Sequence, residues 1–288
     1  MALLWLVHFL PLALQAALGN MAGSLLFWLI PERRRVTRIN LARCFPAMPE
    51  AERERLARAH FRAFSRSVIE RGLLWWAPRE RIERLIRVEG LERVRAFQGK
   101  TDATPVILFV PHFVGMDAAY TRLCIDLDMV GMYARQKDPT LSRLLWRGRS
   151  RFGNQRPISR QEGVRPLVAG MKEGRPLYYL PDQDYGRRDA VFVPFFGVPA
   201  ATITGLPRFA KIAGAKVLPC IVKMLPAGAG YVIRIEAPWE DYPTGDPKAD
   251  TRRMNAYIES RIAEMPEQYL WMHKRFKTRP EGEASFYP

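Results

Sequence analysis

The chain has 288 residues, 48% of them hydrophobic, which suffices for one large core or two small ones. Lys and Arg number 45 against 29 Asp and Glu, leaving +16, and the excess is mostly Arg, so the expected partner is anionic. No zinc-finger spacing, RNP-like aromatic motif or Lys-rich tail points to nucleic acid, and the scattered Cys44, Cys124 and Cys220 exclude a disulfide framework or a cysteine metal cluster.

Residues 1–30 contain no Asp, Glu, Lys or Arg. Their two apolar blocks, Ala2 to Leu18 and Met21 to Ile30, are together long enough to cross a hydrocarbon core with some tilt. Pro31-Glu-Arg-Arg-Arg35 then ends the stretch. Charge that follows the apolar segment favours an uncleaved membrane anchor over a signal peptide and places residues 31–288 in the cytoplasm. A spanning helix is the preferred reading. Pro11, Gln15, Gly19 and Asn20 interrupt it and keep an interfacial or re-entrant segment as the alternative.

From Pro49 to Leu74, apolar Leu56, Ala59, Ala63 and Val68 alternate with Arg and Glu at helical spacing, and Trp75-Trp76-Ala-Pro78 terminates the helix. A short helix over Arg79 to Ile86 and another ending near Gly99 follow. Val106 to Val110 is an unbroken apolar, β-branched run that reads as a buried strand, and it delivers His112 into a loop with Asp117 five residues later. On one helix such a pair would point about 140° apart, so the two meet only if His112 precedes a helix and Asp117 sits in its first turn. A carboxylate so placed would fix the imidazole tautomer while the other ring nitrogen takes a proton from a hydroxyl.

A helix over Ala118 to Leu127 and a strand over Met129 to Ala134 complete a β-α-β unit and predict an α/β fold with a parallel pair. Ligands of such sheets bind beyond the carboxyl ends of the strands, which puts Arg135 and Lys137 on the same rim as His112. Next come an Arg-rich helix, Leu141 to Phe152, then Ile158-Ser-Arg160, a helix over Gly163 to Glu173, and a strand, Pro176 to Leu180, that carries Asp182 and Asp184 to the rim. Asp-Gln-Asp at this place is either a turn or, more rarely, the metal-holding pair of a nucleotide-sugar transferase. Val191-Phe-Val-Pro-Phe-Phe-Gly197 reads as a loop or edge because of Pro194, with Phe195 and Phe196 as a candidate wall for an acyl chain or as plain core. A helix over Leu206 to Ala213, strands over Lys216 to Val222 and Tyr231 to Ile235, a helix over Asp250 to Glu264 and a basic, aromatic tail close the chain. A Gly-x-Ser-x-Gly elbow and a Gly-rich phosphate loop are both missing.

Several blocks occur together in one order: His112-x4-Asp117, Tyr133-Ala-Arg135, Ile158-Ser-Arg160, Tyr179-Leu-Pro-Asp-Gln-Asp-Tyr-Gly186, Phe192-Val-Pro-Phe-Phe-Gly197, Ala201-Thr, Thr251-Arg-Arg-Met-Asn255 and Tyr269-Leu-Trp-Met-His-Lys-Arg-Phe-Lys-Thr-Arg-Pro280. With the N-terminal anchor, they resemble the lipid A biosynthesis acyltransferases, the lauroyl/myristoyl group of the lysophospholipid acyltransferase superfamily, over nearly the whole chain. The resemblance implies a mixed central sheet flanked by helices and an N-terminal membrane helix. It also implies an inner-membrane enzyme that moves a fatty acyl group from acyl carrier protein to a hydroxyl of a Kdo-bearing lipid A precursor, without metal or other cofactor. His112 would be the base and Asp117 its partner, with Arg160 and Asp182 completing the site; many members carry Glu at the position of Asp117. Arg135, Lys137, Asp184, Phe195 and Phe196 would bind substrate. The alternatives are an acyltransferase for another lipid, such as a lysophospholipid, ornithine lipid or glycolipid, and a noncatalytic membrane-anchored lipid or carrier-protein binder.

Overall fold

The computed structural model describes residues 2–98, 103–133 and 138–287. Two apolar helices, α1 (Ala2–Val7) and α2 (Leu12–Leu29), lead into α3 (Pro31–Cys44), the long α4 (Glu50–Ile69), α5 (Arg71–Trp76) and α6 (Arg79–Leu85). Thereafter strands and helices alternate: β1 (Ile86–Glu89), α7 (Leu91–Arg95), β2 (Val106–Phe109), α8 (Met116–Leu123), β3 (Val130–Tyr133), α9 (Pro139–Arg149), β4 (Arg156–Ser159), α10 (Arg165–Lys172) and β5 (Leu177–Tyr179). A hairpin of β6 (Ala190–Phe195) and β7 (Val198–Ile203), α11 (Gly205–Ala213), β8 (Lys216–Met224), β9 (Tyr231–Ile235) and α12 (Pro247–Glu264) complete the described chain.

Seven strands form one sheet in the order β1-β9-β8-β2-β5-β3-β4, parallel throughout except where β8 and β9 pair antiparallel. This is the mixed, helix-flanked α/β sheet that the resemblance implies. Every residue of β2 is buried, as a parallel central strand covered on both faces requires. The expected parallel relation of β2 and β3 holds, but they are not neighbours. β5 lies between them, pairing Ile107 with Leu177 on one side and Val130 with the same Leu177 on the other. β1 and β4, unmarked in the sequence pattern, are the two edges, where a four-residue strand is sufficient.

Pro194 sits in the two-stranded antiparallel sheet of β6 and β7, opposite Pro199, in keeping with the edge reading. Phe196 and Gly197 connect the strands with φ of +50° and +77°, the backbone of a two-residue hairpin turn. α4 buries Ala57, Phe61, Ala63 and Arg66 instead of the single face expected, because α2 lies along one side of it and the body of the protein along the other. Cys44, Cys124 and Cys220 are buried and free, and burial pushes the Cys220 thiol up to about 12.

Candidate active site

β2 and β5 are in register, with Phe109 opposite Tyr179, and the Val110 amide continues the ladder by donating to the Tyr179 carbonyl at 2.9 Å. Each strand then meets a proline, Pro111 or Pro181, that has no N–H to give, and pairing stops. The next residue is His112 on one strand and Asp182 on the other. Equal offsets from a registered pair bring them together: His112 Nδ1 lies 2.6 Å from Asp182 Oδ1, and the His112 amide donates to Asp182 Oδ2 at 3.0 Å.

Asp182 is buried, and burial alone would raise its carboxyl pKa. The His112 ring, the two hydrogen bonds from His112 and the more distant charge of Arg275 outweigh that effect and hold it below the usual carboxylate range. An ionised Asp182 can only accept, so Nδ1 carries a proton, and whenever the ring is neutral Nε2 keeps the lone pair. His273, behind the pair, is held neutral: burial and then the nearness of His112 push it down to about 4, and its Nε2 accepts from the Asp184 amide at 3.1 Å.

His112 forms part of the wall of a cavity of about 710 Å³ at the carboxyl ends of β2, β3 and β5, the side of the sheet expected for a ligand. Tyr120, Tyr178, Tyr179, Leu180 and Phe209 supply an apolar, aromatic lining, while Arg149, Arg188 and Arg208 bring cations to it. Asp182, Gln183, Asp184 and Tyr185 alternate along one extended run. The two aspartates turn inward and are buried, and Gln183 and Tyr185 face the cavity.

Asp117 also lines the cavity and sits in the first turn of α8, with His112 just before that helix, as the spacing required. Its carboxylate, however, does not hold the imidazole. Arg71 of α5 reaches Asp117 Oδ2 at 2.7 Å and Arg149 of α9 reaches Oδ1 at 3.0 Å. Burial alone would raise the Asp117 carboxyl, but its two guanidinium partners hold it far below its ordinary range. The carboxylate paired with His112 is therefore Asp182, not Asp117. The matched Val-Pro-His and Leu-Pro-Asp runs carried that signal in the sequence.

Asp184 does not line the cavity. It accepts from the Thr278 amide at 2.6 Å, the Thr278 hydroxyl at 2.8 Å and the Gly186 amide at 2.9 Å, fastening the C-terminal tail. The two aspartates of Asp-Gln-Asp thus serve different partners and do not face one ion. Phe195 and Phe196 also lie off the cavity wall. Phe195 is fully buried against Phe276, Tyr269 and the Arg275 guanidinium, 4.8 Å from its ring, and Phe196 packs on Phe45 and Trp271. Both side chains hold the hairpin to the core. The Arg160 backbone opens a short 3₁₀ helix, Arg160–Glu162, and its side chain lies outside the described part of the structure, as do Arg135 and Lys137 altogether.

A family model for bacterial lipid A biosynthesis acyltransferases matches residues 1–278. The chain belongs to that family. The chain is 34% identical over 285 residues to an Escherichia coli lipid A biosynthesis lauroyltransferase, covering 99% of this chain and 92% of that one. It is 33% identical over 288 residues to an E. coli lipid A biosynthesis palmitoleoyltransferase, covering 100% and 92%. An E. coli lipid A biosynthesis myristoyltransferase is 32% identical over 273 residues, 94% of this chain and 82% of that one. Family members named for three different acyl groups thus match almost equally well.

Proposed function

We propose that the protein transfers a fatty acyl group from the thioester of acyl carrier protein to a hydroxyl of a Kdo-bearing lipid A precursor, on the cytoplasmic face of the inner membrane. The observation that carries this reading is His112 on the wall of a cavity lined by aromatic, aliphatic and cationic side chains, its Nδ1 occupied by buried Asp182 and its Nε2 left to act as a base. Family membership supplies acyl transfer in lipid A biosynthesis as the reaction class.

His112 Nε2 takes the proton of the acceptor hydroxyl as that oxygen attacks the thioester carbonyl. The resulting tetrahedral oxyanion collapses with cleavage of the carbon–sulfur bond, and the imidazolium returns its proton to the departing thiolate. Asp182 positions the ring and stabilises its transient charge. Arg149, fixed by Asp117 at the cavity wall, is assigned in this reading, with Arg160, to stabilise developing negative charge. Arg188 and Arg208 suit phosphates of an anionic glycolipid, and Arg135 and Lys137 extend that basic rim in this proposal.

Mass spectrometry of lipid A precursor incubated with the purified protein and a set of acyl carrier protein thioesters tests the proposal. One added acyl mass, absent with His112→Ala, is expected, and its size reads out the preferred chain. Transfer only to a lysophospholipid, ornithine lipid or glycolipid in a parallel panel would replace the acceptor. No transfer to any acceptor would overturn the enzyme reading.

A further inference from the structure

We propose that the outward face of α10 and α11 is the docking surface for the acidic acyl carrier protein, and that the thioester enters the cavity from the side of the sheet that these two helices cover. The proposal rests on the reading of the protein as a carrier-protein-dependent acyltransferase and specifies where that donor binds.

Alternate residues of the central strands assign the helices to opposite faces of the sheet. On β5, Tyr178 points to α8, where its hydroxyl donates to the Met116 carbonyl at 2.7 Å and its ring meets Tyr120 edge to face at 5.1 Å. The next residue, Tyr179, points the other way and meets Phe209 of α11 at 5.0 Å. β3 repeats the division. A Cβ on Gly131 would stand 3.6 Å from the Tyr120 ring of α8, while the side chain of Val130 lies 3.3 Å from the place of a Cβ on Gly170 of α10. α10 and α11 pack on each other. The apolar helix α1 belongs to the other side, because it packs on α5 and α5 packs on α8. The face of α10 and α11 is therefore turned away from α1.

That face is basic. Neither helix contains Asp or Glu. Arg165 and Lys172 of α10 share one exposed stripe with Ala169, and Arg208 and Lys211 are exposed on α11. Arg208 pairs with Asp189 at 3.0 Å, whereas Arg165, Lys172 and Lys211 form no ion pair among the described residues. Beside Lys211 stands Ile212, 56% exposed. An aliphatic side chain among cations supplies the small apolar centre and charged rim of an interface, and the sign of the rim selects an acidic partner.

Both helices start at the cavity. Gly163 and Val164, just before α10, and Gly205 and Arg208, in the first turn of α11, line it. Lys211 and Ile212 follow about 9 to 11 Å along the helix axis from Gly205. A carrier protein holds its acyl group on a flexible pantetheine arm, so a partner seated on Ile212 can extend that arm past the start of α11 to His112, on the same cavity wall. The cavity also reaches the α8 side of the sheet through Met116, Asp117 and Tyr120, which leaves that side to the lipid acceptor.

Lys211→Glu, Ile212→Asp and Arg165→Glu would be made in the full chain, with Arg87→Glu on the edge strand β1 as a charge-reversal control. Transfer to lipid A precursor in detergent would be followed with an acyl carrier protein thioester and with the same acyl group on free pantetheine. Each face variant should raise KM for the carrier-protein donor about tenfold or more with kcat nearly unchanged, and should leave kcat/KM for acyl-pantetheine as in wild type. Arg87→Glu should alter neither donor appreciably. Direct binding of a carrier protein that bears a nonhydrolysable acyl amide should weaken by the same factor, a readout that does not depend on turnover. Equal losses with both donors, an equal loss in Arg87→Glu, or carrier-protein binding that no face variant weakens would overturn the proposal. So would face variants that lose binding to phosphatidylglycerol vesicles, or a dimer that Ile212→Asp dissociates, with carrier-protein binding intact. A wild-type protein that binds the carrier protein through this face yet transfers no acyl group would overturn the enzyme reading instead, so the two failures are distinguishable.

Discussion

At the scale of single residues the candidate site separates two carboxylates that look interchangeable in a list of acidic side chains. Asp182 accepts hydrogen bonds from both the ring and the amide of His112, with the Tyr269 hydroxyl also at its carboxylate. Asp182→Asn offers an amide that can donate to Nδ1 and trap the wrong tautomer. It should lower kcat roughly 100-fold or more with little change in KM, as steady-state assays would show. Asp117 instead neutralises Arg71 and Arg149, and Asp117→Glu should keep most of the activity because a longer carboxylate can still meet both guanidinium groups. Asp117→Asn should cost roughly 1–3 kcal/mol of stability at neutral pH. The Asp117 pKa is depressed in the folded state, so its stabilisation is full above the unfolded value of about 4 and is lost as pH falls below it. The gap between wild type and Asp117→Asn in urea melts should therefore shrink on acidification below about pH 4.

His112 was legible from one strand and one loop, since an apolar run ending in Pro-His announces its own geometry. The partner of His112 was not legible from spacing alone. His-x4-Asp places Asp117 one helical turn away, but nothing local to that motif reveals that Arg71, 46 residues earlier, would claim it. Asp184, Phe195 and Phe196 resemble site residues by their neighbours in sequence, and period-two alternation turns the aspartate inward while the hairpin turns both rings onto the core.

Elements place the site more than any residue does. Long apolar runs and helix stops located β2, β5, β8 and α12, because burial on both faces and helical periodicity are local signals. The order of strands is not local, and β5 slides between β2 and β3 only because crossovers decide it. That insertion is what brings Asp182 to His112. β3 contributes Gly131 to the cavity wall, where an added Cβ would stand 3.6 Å from the Tyr120 ring. An alanine would fit there and a valine would take up space inside. Gly131→Val should accordingly shift donor preference toward shorter acyl chains, measured by competing carrier-protein thioesters in one reaction and weighing the products.

On the scale of the whole molecule, the net charge of +16 would act at a distance on the anionic glycolipid and acidic carrier protein of the proposed reaction. The value of kcat/KM should fall as ionic strength rises past about 0.1 M, where the screening length is about 10 Å, while kcat at saturation changes much less. Arginines donate to backbone carbonyls near both ends of α2, and α4 packs along it. Hydropathy alone carries no information about that neighbour.

The most direct test of the account is single-turnover acyl transfer onto lipid A precursor, with product weighed by mass spectrometry, for wild type, His112→Ala, Asp182→Asn and Asp117→Glu side by side. The account expects about 100- to 10,000-fold slower chemistry for His112→Ala, a loss of roughly 100-fold or more for Asp182→Asn, and near wild-type chemistry for Asp117→Glu. Wild-type chemistry in Asp182→Asn together with loss in Asp117→Glu would contradict it, returning the role of orienting His112 to Asp117.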